Sequence, residues 1–303
     1  MGEGCQMLLS VVVCTYNRSW LLNHALESLA RQTLDPLLME VVVVDNNSTD
    51  DTQDVARRWK NRFAHCQILF EERQGLSHAR NSGWRLARGE YVAFMDDDAK
   101  AASDWAERLI QAFRQVRPMP ASVGGPIVPW YDSRPPSWFS DVFEIRSWGD
   151  AAGFLPPSRA RYGFSGSNMA FSRRTLEQLG GFRPDYGMVG GVVRLGEETD
   201  LFLRLHALEP YFWYDPGAIV SHFVSSKNMQ LSTRLLRRFR SGKTRAALDR
   251  RRICSIDDAQ ELRVLVSLIG QMVRILGPAR TSRKVLLAEC LQKLCYQCGY
   301  LSW

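Results

Sequence analysis

Leu8–Cys14 reads LLSVVVC, an apolar run rich in β-branched residues, and it decides the fold. Glu40–Val44 (EVVVV), Ile68–Phe70 (ILF) and Tyr91–Met95 (YVAFM) are further short runs of mostly apolar residues. The segments between these runs carry apolar residues at helical spacing, which predicts amphipathic helices. Continuous apolar strands that alternate with helices are typical of a parallel sheet covered on both faces. The sequence therefore predicts an α/β fold with a mostly parallel sheet.

Polar residues follow the predicted strands directly. Thr15-Tyr16-Asn17-Arg18 follows the first strand, Asp45-Asn46-Asn47-Ser48 the second, and Asp96-Asp97-Asp98 the fourth. Each stretch alone is explained by a turn or a helix cap, which favour Asn, Asp and Ser. Ligands of parallel sheets bind at the carboxyl ends of the strands, however, and all three stretches fall there. Together they predict a ligand crevice at one sheet edge.

The three adjacent carboxylates narrow the class of ligand. Clustered carboxylates repel one another unless a cation neutralises them. Their oxygen atoms suit Mg²⁺ or Mn²⁺, and such ions also bind substrate phosphates. The cluster therefore favours a metal-bound nucleoside diphosphate. After the first strand the chain reads VVCTYNRSW. That stretch lacks the G-x-G-x-x-G of dinucleotide-binding domains, which disfavours a dehydrogenase.

The composition excludes several other classes of protein. The chain has 303 residues, 45% of them hydrophobic and 23% charged, as in ordinary globular proteins. It contains no run of roughly 20 apolar residues that could cross a membrane. The seven cysteines form neither a disulfide framework nor a zinc motif. No secretion signal is recognisable at the N-terminus, so the cytoplasm is the expected compartment.

The net charge of +7 is concentrated near the C-terminus. A basic block extends from Arg234 to Arg252, with Asp249 as its only acid. Such a block can meet a nucleic acid, an anionic membrane or a phosphorylated ligand, or it can be a solvated helix face. Composition alone leaves these alternatives open.

Several motifs together resemble family 2 glycosyltransferases. VVVCTYNR, VVVVDNNSTDDT and GLSHARNSGWRLARGEYVAFMDDDA are similar to the nucleotide-sugar half of that family. GFSGSNMAFSRRTLEQLGGF, GEETDLFLRL and YDPGAIVSHF resemble its acceptor-side motifs. The resemblance runs from about Leu8 to His222. It implies a GT-A fold and an inverting enzyme that moves a sugar from a nucleotide donor, expected to be a UDP-sugar, to a hydroxyl acceptor such as a glycan or glycolipid.

The resemblance also implies roles on the nucleoside side of the donor. Thr15 and Asn17 would line the nucleoside pocket. Asp45 would accept a hydrogen bond from the base. Arg80, in the ARN motif, would approach the diphosphate or the base side of the donor.

The metal site implied by the resemblance joins two distant parts of the chain. Asp98 and His222 would coordinate Mn²⁺ or Mg²⁺. Asp96 would contact the ribose or a metal-bound water, and Asp97 is grouped with these donor-binding residues. A metal ion and Arg80 would together neutralise the leaving diphosphate.

The catalytic base would come from the GEETD motif, but this chain departs from the usual pattern. Many relatives have Glu-Asp where Glu197-Glu198 stands here, followed by Thr199-Asp200. On a helix Glu197 and Asp200 share a face, whereas Glu198 points about 100° away. We expect Glu198 to be the base, and we retain Glu197 and Asp200 as alternatives.

The sequence predicts a glycosyltransferase domain over residues 1–225 and a basic helical region over residues 226–303. In the first, the donor half covers about 8–128 and the acceptor half about 129–225. The C-terminal region has apolar helix faces between Leu262 and Leu276 and between Leu286 and Leu294. These faces pack on the core or a second subunit, or they lie with the basic block on an anionic membrane surface.

Two other functions remain as alternatives at this point. A nucleotidyltransferase that makes a nucleotide-sugar would need a glycine-rich basic loop directly after the first strand, and none is present there. A non-enzymatic protein could use the basic block to bind a membrane or a nucleic acid, although no nucleic acid is expected as a partner. This second alternative would be favoured if deletion of the basic block abolished binding while Asp98→Ala left binding unchanged.

Overall fold

The computed structural model describes residues 7–156, 163–186, 196–208, 211–250, 267 and 283–301. The strands within these ranges are β1 (Leu9–Thr15), β2 (Met39–Asp45), β3 (Cys66–Phe70), β4 (Tyr91–Asp96), β5 (Ala99–Ala101), β6 (Ser122–Gly124), β7 (Ile127–Tyr131), β8 (Gly153–Phe154), β9 (Met169–Ser172), β10 (Phe212–Tyr214) and β11 (Val220–Val224). The α-helices are α1 (Ser19–Leu29), α2 (Thr52–Lys60), α3 (Leu76–Leu86), α4 (Trp105–Gln115), α5 (Arg173–Leu179), α6 (Glu197–Leu208), α7 (Leu231–Arg250) and α8 (Arg283–Leu301).

A mostly parallel sheet forms the centre of the fold. Its strand order is β3-β2-β1-β4-β9-β6-β10-β8. Strands β1, β2, β3 and β4 pair in parallel, and β9 runs antiparallel to both of its neighbours. A second sheet has the order β5-β11-β7. The α/β architecture predicted from the alternating runs is confirmed.

Alternate residues of β1 face opposite layers, as the period of a strand requires. Val11 and Val13 lie in a core cluster with Leu26 of α1. Val12 lies in a separate cluster with Trp84 of α3. A Cβ at Gly83 of α3 would overlap the side chain of Val12, so this glycine lets the helix lie close against the sheet. Helices therefore cover both faces of the sheet, which is why the predicted strands are mostly apolar.

The glycine-rich stretch before β9 differs from expectation. The sequence predicts a strand over Gly163–Phe171, but the strand begins only at Met169. Asn168 N–H instead donates to the Ser165 carbonyl at 2.9 Å, which closes a turn. The Asn168 side chain donates to the carbonyls of Pro126 and Ala218. These bonds hold the turn away from the sheet ladder.

The chain divides into two compact units. The first contains the described residues of Met1–Val128, Ile145–Val192 and Glu197–His222, and the second those of Pro129–Glu144, Val193–Gly196 and Phe223–Trp303. The predicted domain boundary at residue 225 remains a prediction.

Arg234 lies in the interior of the second unit, although the sequence places it in the basic block. Its guanidinium donates to the Gln292 side chain at 2.9 Å and to the Phe143 carbonyl at 3.1 Å, and it pairs with Glu144. It also lies 5.0 Å from the centre of the Phe139 ring. The reading of the whole block as one solvated or ligand-facing surface is therefore wrong at this residue. Buried arginines are rare unless they are paired, and this one is.

Two glycines bring α7 and α8 into close contact within the second unit. A Cβ at Gly242 would overlap the carbonyl oxygen of Tyr296, and one at Gly299 would overlap that of Phe239. The predicted apolar face between Leu262 and Leu276 lies outside the described residues apart from position 267. Among the helices that are described, none has the length and hydropathy needed to cross a bilayer.

Candidate active site

The carboxyl ends of β1, β2 and β4 lie side by side in the central sheet. Thr15 is opposite Asp45 in the parallel register, and Cys14 is opposite Asp96. The polar stretches that follow these strands therefore meet at one edge, as the position of ligand sites in parallel sheets predicts.

Asp96, Asp98 and His222 form a group of potential metal ligands. One ligand atom from each residue lies within 4.8 Å of the others. His222 is brought there by β11, which pairs with β5 so that His222 is opposite Ala99. As a result, His222 Nε2 lies 3.2 Å from Asp98 Oδ1. The structure thus brings together the two ligands implied by the resemblance and adds Asp96 to them.

The chemistry of this group fits a divalent cation. Oxygen ligands lie about 2.1 Å from Mg²⁺, so opposite ligands are about 4.2 Å apart. The ligand atoms lie within 4.8 Å of one another, so at most a small inward movement is needed. Burial opposes ionisation of Asp98, but the charges of His222 and Arg18 outweigh it and lower the pKa of this carboxyl. The carboxylate is therefore ionised and able to bind a metal, and two carboxylates with one imidazole suit Mn²⁺.

Asp97 occupies a different environment from its two neighbours. It is buried, and its Oδ1 accepts a hydrogen bond from Arg18 Nη1 at 2.9 Å. The same Arg18 nitrogen donates to Asp98 Oδ2, also at 2.9 Å. Burial raises the pKa of Asp97 well above its ordinary value, although the charge of Arg18 opposes this. The structure therefore places Asp97 on Arg18 and outside the group of metal ligands.

Arg80 lies buried between two acids. Its Nη2 donates to Asp96 Oδ1 and its Nη1 to Glu197 Oε1, each at 3.0 Å. Its guanidinium also lies 5.4 Å from the centre of the Phe182 ring. Ser167 Oγ donates to the second Asp96 oxygen at 2.6 Å. Arg80 thus links the metal-ligand group to the start of α6.

The three acids of the GEETD motif differ in their partners. Glu197 is buried against Arg80, and burial raises the pKa of its carboxyl well above the ordinary value. Asp200 is also buried, and it pairs with Arg204 at 2.8 Å and with Arg183 at 3.3 Å. Glu198 is half-buried and makes no ion pair with a described residue. Glu197 and Asp200 face inward, as the predicted helix faces require, and the half-buried Glu198 lies close enough to Glu197 to raise the pKa of that carboxyl as well.

Asp45, at the end of β2, leaves one of its acceptors unused. It is buried, and its Oδ1 accepts a hydrogen bond from Ser48 N–H at 3.0 Å. Its Oδ2 is buried without a hydrogen-bond partner. Leaving a buried acceptor unpaired costs about 1–3 kcal/mol, so such an atom indicates a place for a ligand donor.

Thr15 and Asn17 support the same edge of the site. Thr15 is buried at the end of β1. Asn17 adopts a left-handed backbone conformation, with φ of 51°, which asparagine tolerates better than most residues. Its side-chain oxygen accepts a hydrogen bond from Thr49 N–H at 2.7 Å. Asn17 therefore joins the loop after β1 to the loop after β2.

Three residues that organise the site have no role assigned by the sequence. Arg18 bridges two of the acids, and Ser167 holds Asp96. Asn46 donates to the carbonyls of Glu71 and Arg73 and accepts from Gly75 N–H, which fixes the loop that leads into α3. All three lie within the motifs quoted above. Their residue type and their position next to a turn were the only signs in the sequence that they could organise the site. Polar residues next to a turn are explained first by the turn itself.

Known proteins resemble the chain in both sequence and structure. The model of the family described as "Glycosyl transferase family 2" matches residues 10–180. A glucosyl-dolichyl phosphate glucuronosyltransferase of Haloferax volcanii is 30% identical over 248 residues, which are 80% of this chain and 78% of the relative.

Two solved structures show the same GT-A fold. A mannosyltransferase of Pyrobaculum calidifontis, in complex with GDP-Man and Mn²⁺, has a TM-score of 0.60 and 22% identity, covering 97% of this chain and 74% of that one. TarS 1–349 of S. aureus, in complex with UDP, has a TM-score of 0.56 and 20% identity, covering 98% and 91%. The family model covers more than half of the chain and the relative agrees with it, so the chain belongs to glycosyl transferase family 2.

Proposed function

We propose that this glycosyltransferase is inverting and metal-dependent, and that it moves a sugar from a nucleotide-sugar to a hydroxyl acceptor. The observation that carries the proposal is the group of Asp96, Asp98 and His222 at the same sheet edge as Asp45. These three residues would hold Mn²⁺ or Mg²⁺. When bound, the ion supplies positive charge that neutralises the leaving diphosphate.

The donor side is expected to bind a UDP-sugar. The unpaired oxygen of Asp45 accepts a hydrogen bond from an N–H group of the base. Thr15 and Asn17 line the nucleoside pocket beside it. A TarS structure with UDP and a mannosyltransferase structure with GDP-Man, both of this fold, support a nucleotide as the ligand.

On the acceptor side, Glu198 is proposed as the base. It takes a proton from the acceptor hydroxyl as that oxygen attacks the sugar from the face opposite the leaving group, which inverts the anomeric configuration. Glu197 orients the site through Arg80. Asp200 holds α6 through Arg204. The acceptor is proposed to be a growing glycan or a glycolipid.

A screen of nucleotide-sugars with and without Mn²⁺ tests this function. We expect one UDP-sugar to be hydrolysed in a Mn²⁺-dependent way, with NMR detecting the inverted anomer as the first product. UDP should bind more tightly with Mn²⁺ than without it in calorimetry. If Mn²⁺ changes neither nucleotide affinity nor hydrolysis for UDP-, GDP-, ADP- and CDP-sugars, metal dependence is wrong. Release of the retained anomer would exclude the inverting mechanism.

We also propose that residues 226–303 form the basic helical region, and that the second unit binds an anionic membrane surface on the cytoplasmic side. Val142, Leu236 and Leu286 are large aliphatic residues exposed on this unit. Arg237 and Arg240 of α7 are exposed as well. Exposed aliphatic side chains beside cations are typical of proteins that rest on anionic lipid.

Charge reversal at Arg237 and Arg240 tests the membrane proposal better than truncation at Ser225. Truncation would also remove Arg234 from its partners inside the unit. Each cation contributes about 1 kcal/mol of membrane attraction, so Arg237→Glu with Arg240→Glu should weaken binding to anionic vesicles at least about 30-fold.

A matched control for this experiment is available in the first unit. Arg31→Glu with Arg57→Glu changes the net charge equally at exposed positions. Vesicle cosedimentation of both variants at low and high salt gives the result. Equal losses in the two variants, or binding that salt does not weaken, would contradict a membrane-facing role of the second unit.

A further inference from the structure

We infer that Arg18 is a mobile counter-cation of the metal site. Without an ion it holds Asp97 and Asp98, and when ion and donor bind it moves from Asp98 to the diphosphate. The inference rests on the proposed metal site and adds a coupling between the ion and the nucleotide. Nothing in the implied roles of the family motifs requires such a coupling.

The first step is the position of the Arg18 guanidinium. Its Nη1 lies 2.9 Å from Asp97 Oδ1 and 2.9 Å from Asp98 Oδ2. The other oxygen of Asp98 lies 3.2 Å from His222 Nε2. That oxygen is buried and makes no hydrogen bond to a described residue, whereas Oδ2 is held by Arg18. An ion that binds Asp98 through the free oxygen brings a second positive charge next to Arg18.

The second step is that Arg18 can move away from Asp98, whereas Arg80, the other arginine of the site, is held in place. The Arg80 side chain is 3% exposed and is held at both ends by Asp96 and Glu197. The Arg18 side chain is 41% exposed. Its backbone is anchored, since its N–H donates to Thr52 Oγ1 and its carbonyl accepts from Leu22 N–H. The backbone of Arg18 is therefore anchored, whereas its guanidinium is partly exposed and can move.

The third step concerns charge. Arg18 is the cation that contacts Asp98, at 2.9 Å from its Oδ2. A divalent ion bound by Asp98 supplies a closer cation for that carboxylate and repels Arg18. Asp97 is not a ligand and remains to hold one side of the guanidinium. The contact to Asp98 is therefore the one that breaks.

The fourth step is the destination of the freed guanidinium. The donor diphosphate is expected at the ion, since such ions bind through protein carboxylates and substrate phosphates together. Guanidinium presents planar, paired donors that match phosphate oxygens. Arg18 consequently disfavours the ion alone and favours the ion together with a diphosphate. The two ligands bind with positive cooperativity.

Calorimetry on Arg18→Gln separates the two effects. Glutamine keeps hydrogen-bonding capacity but removes the charge. We expect Mn²⁺ alone to bind about tenfold tighter than to the wild type, and UDP at saturating Mn²⁺ to bind about tenfold weaker, changes of about 1.4 kcal/mol each. Arg57→Gln, at an exposed ion pair away from the site, should change neither affinity.

A double variant guards against misfolding and against a general charge effect. Arg18→Gln leaves the buried Asp97 without its cation, so Arg18→Gln with Asp97→Asn restores the net charge of the site to that of the wild type. We expect it to keep the tighter Mn²⁺ binding and the weaker UDP binding, with a thermal midpoint close to that of the wild type.

Each outcome decides the inference. If the double variant binds Mn²⁺ no more tightly than the wild type does, Arg18 only stabilises the acids structurally and the inference is wrong. Tighter Mn²⁺ binding with unchanged UDP affinity also overturns it, because the move to the diphosphate is then absent. If neither protein binds Mn²⁺, the proposed metal site fails as well.

Discussion

Asp98→Ala is expected to lower the affinity for Mn²⁺ by at least about 100-fold, and the Mn²⁺-dependent affinity for UDP with it. Loss of a residue that merely supports a metal ligand already costs about 10- to 100-fold, and Asp98 is proposed as a ligand itself. The fold should be retained, since Asp98 follows the end of β4 and Arg18 keeps its pair with Asp97. Calorimetry with Mn²⁺ and then with UDP measures both losses, and thermal unfolding checks the fold.

Asp97→Asn is the matched control for that experiment, because it removes a neighbouring charge that is not in the metal-ligand group. It should change the Mn²⁺ affinity much less than Asp98→Ala does. If Asp98→Ala still binds UDP in a Mn²⁺-dependent way, or if Asp97→Asn is the variant that fails, the ligands have been misassigned.

Glu198→Gln should lower the turnover number by about 10²- to 10⁴-fold while the affinity for UDP and Mn²⁺ stays close to that of the wild type. Glutamine keeps the size and polarity of the side chain but cannot accept the acceptor's proton. Steady-state kinetics with the donor found in the screen gives the turnover, and calorimetry gives the donor affinity.

The other two acids of the motif provide the comparison. Asp200→Asn weakens the pairs with Arg204 and Arg183, so it should lower the thermal midpoint more than the turnover. Glu197→Gln disturbs the orientation of Arg80 and should lower turnover less than Glu198→Gln. Near-normal turnover in Glu198→Gln with an inactive Glu197→Gln or Asp200→Asn would move the base to that residue. Family membership would be unaffected.

The sheet and the meeting of its strand ends could be predicted from the sequence. Strands β1, β2 and β4 are buried on both faces, so their residues are mostly apolar, and the parallel order of the first four strands fixes which ends are adjacent. The family then decided between the glycosyltransferase and the two alternative functions. The sequence lacks the loop that a nucleotidyltransferase needs. The basic block, on which the non-enzymatic alternative rested, is compatible with an enzyme.

The different environments of Asp96, Asp97 and Asp98 were harder to predict from the sequence. Asp96 is the last residue of β4, whereas Asp97 and Asp98 form the turn before β5. A turn has no side-chain period from which the sequence could tell the three carboxylates apart. The resemblance treats the three acids as one cluster, and the partner that decides the matter, Arg18, lies 79 positions from Asp97.

Arg234 could not be distinguished from the other basic residues of its block. A cation is usually exposed, and only a partner can make its burial tolerable. Its partners are Gln292, which is 58 positions away, and Glu144, which is 90 positions away. No local pattern reports such distant contacts.

The same contact sets an order of events during synthesis of the chain. Glu144 leaves the ribosome 90 residues before Arg234 does. At roughly 5–20 residues per second, this interval lasts about 5 to 18 s. During this interval Phe139 and Phe143 lack the Arg234 guanidinium that lies over their rings in the folded protein. A nascent chain that stalls before Leu231 therefore lacks the cation that covers these two aromatic rings.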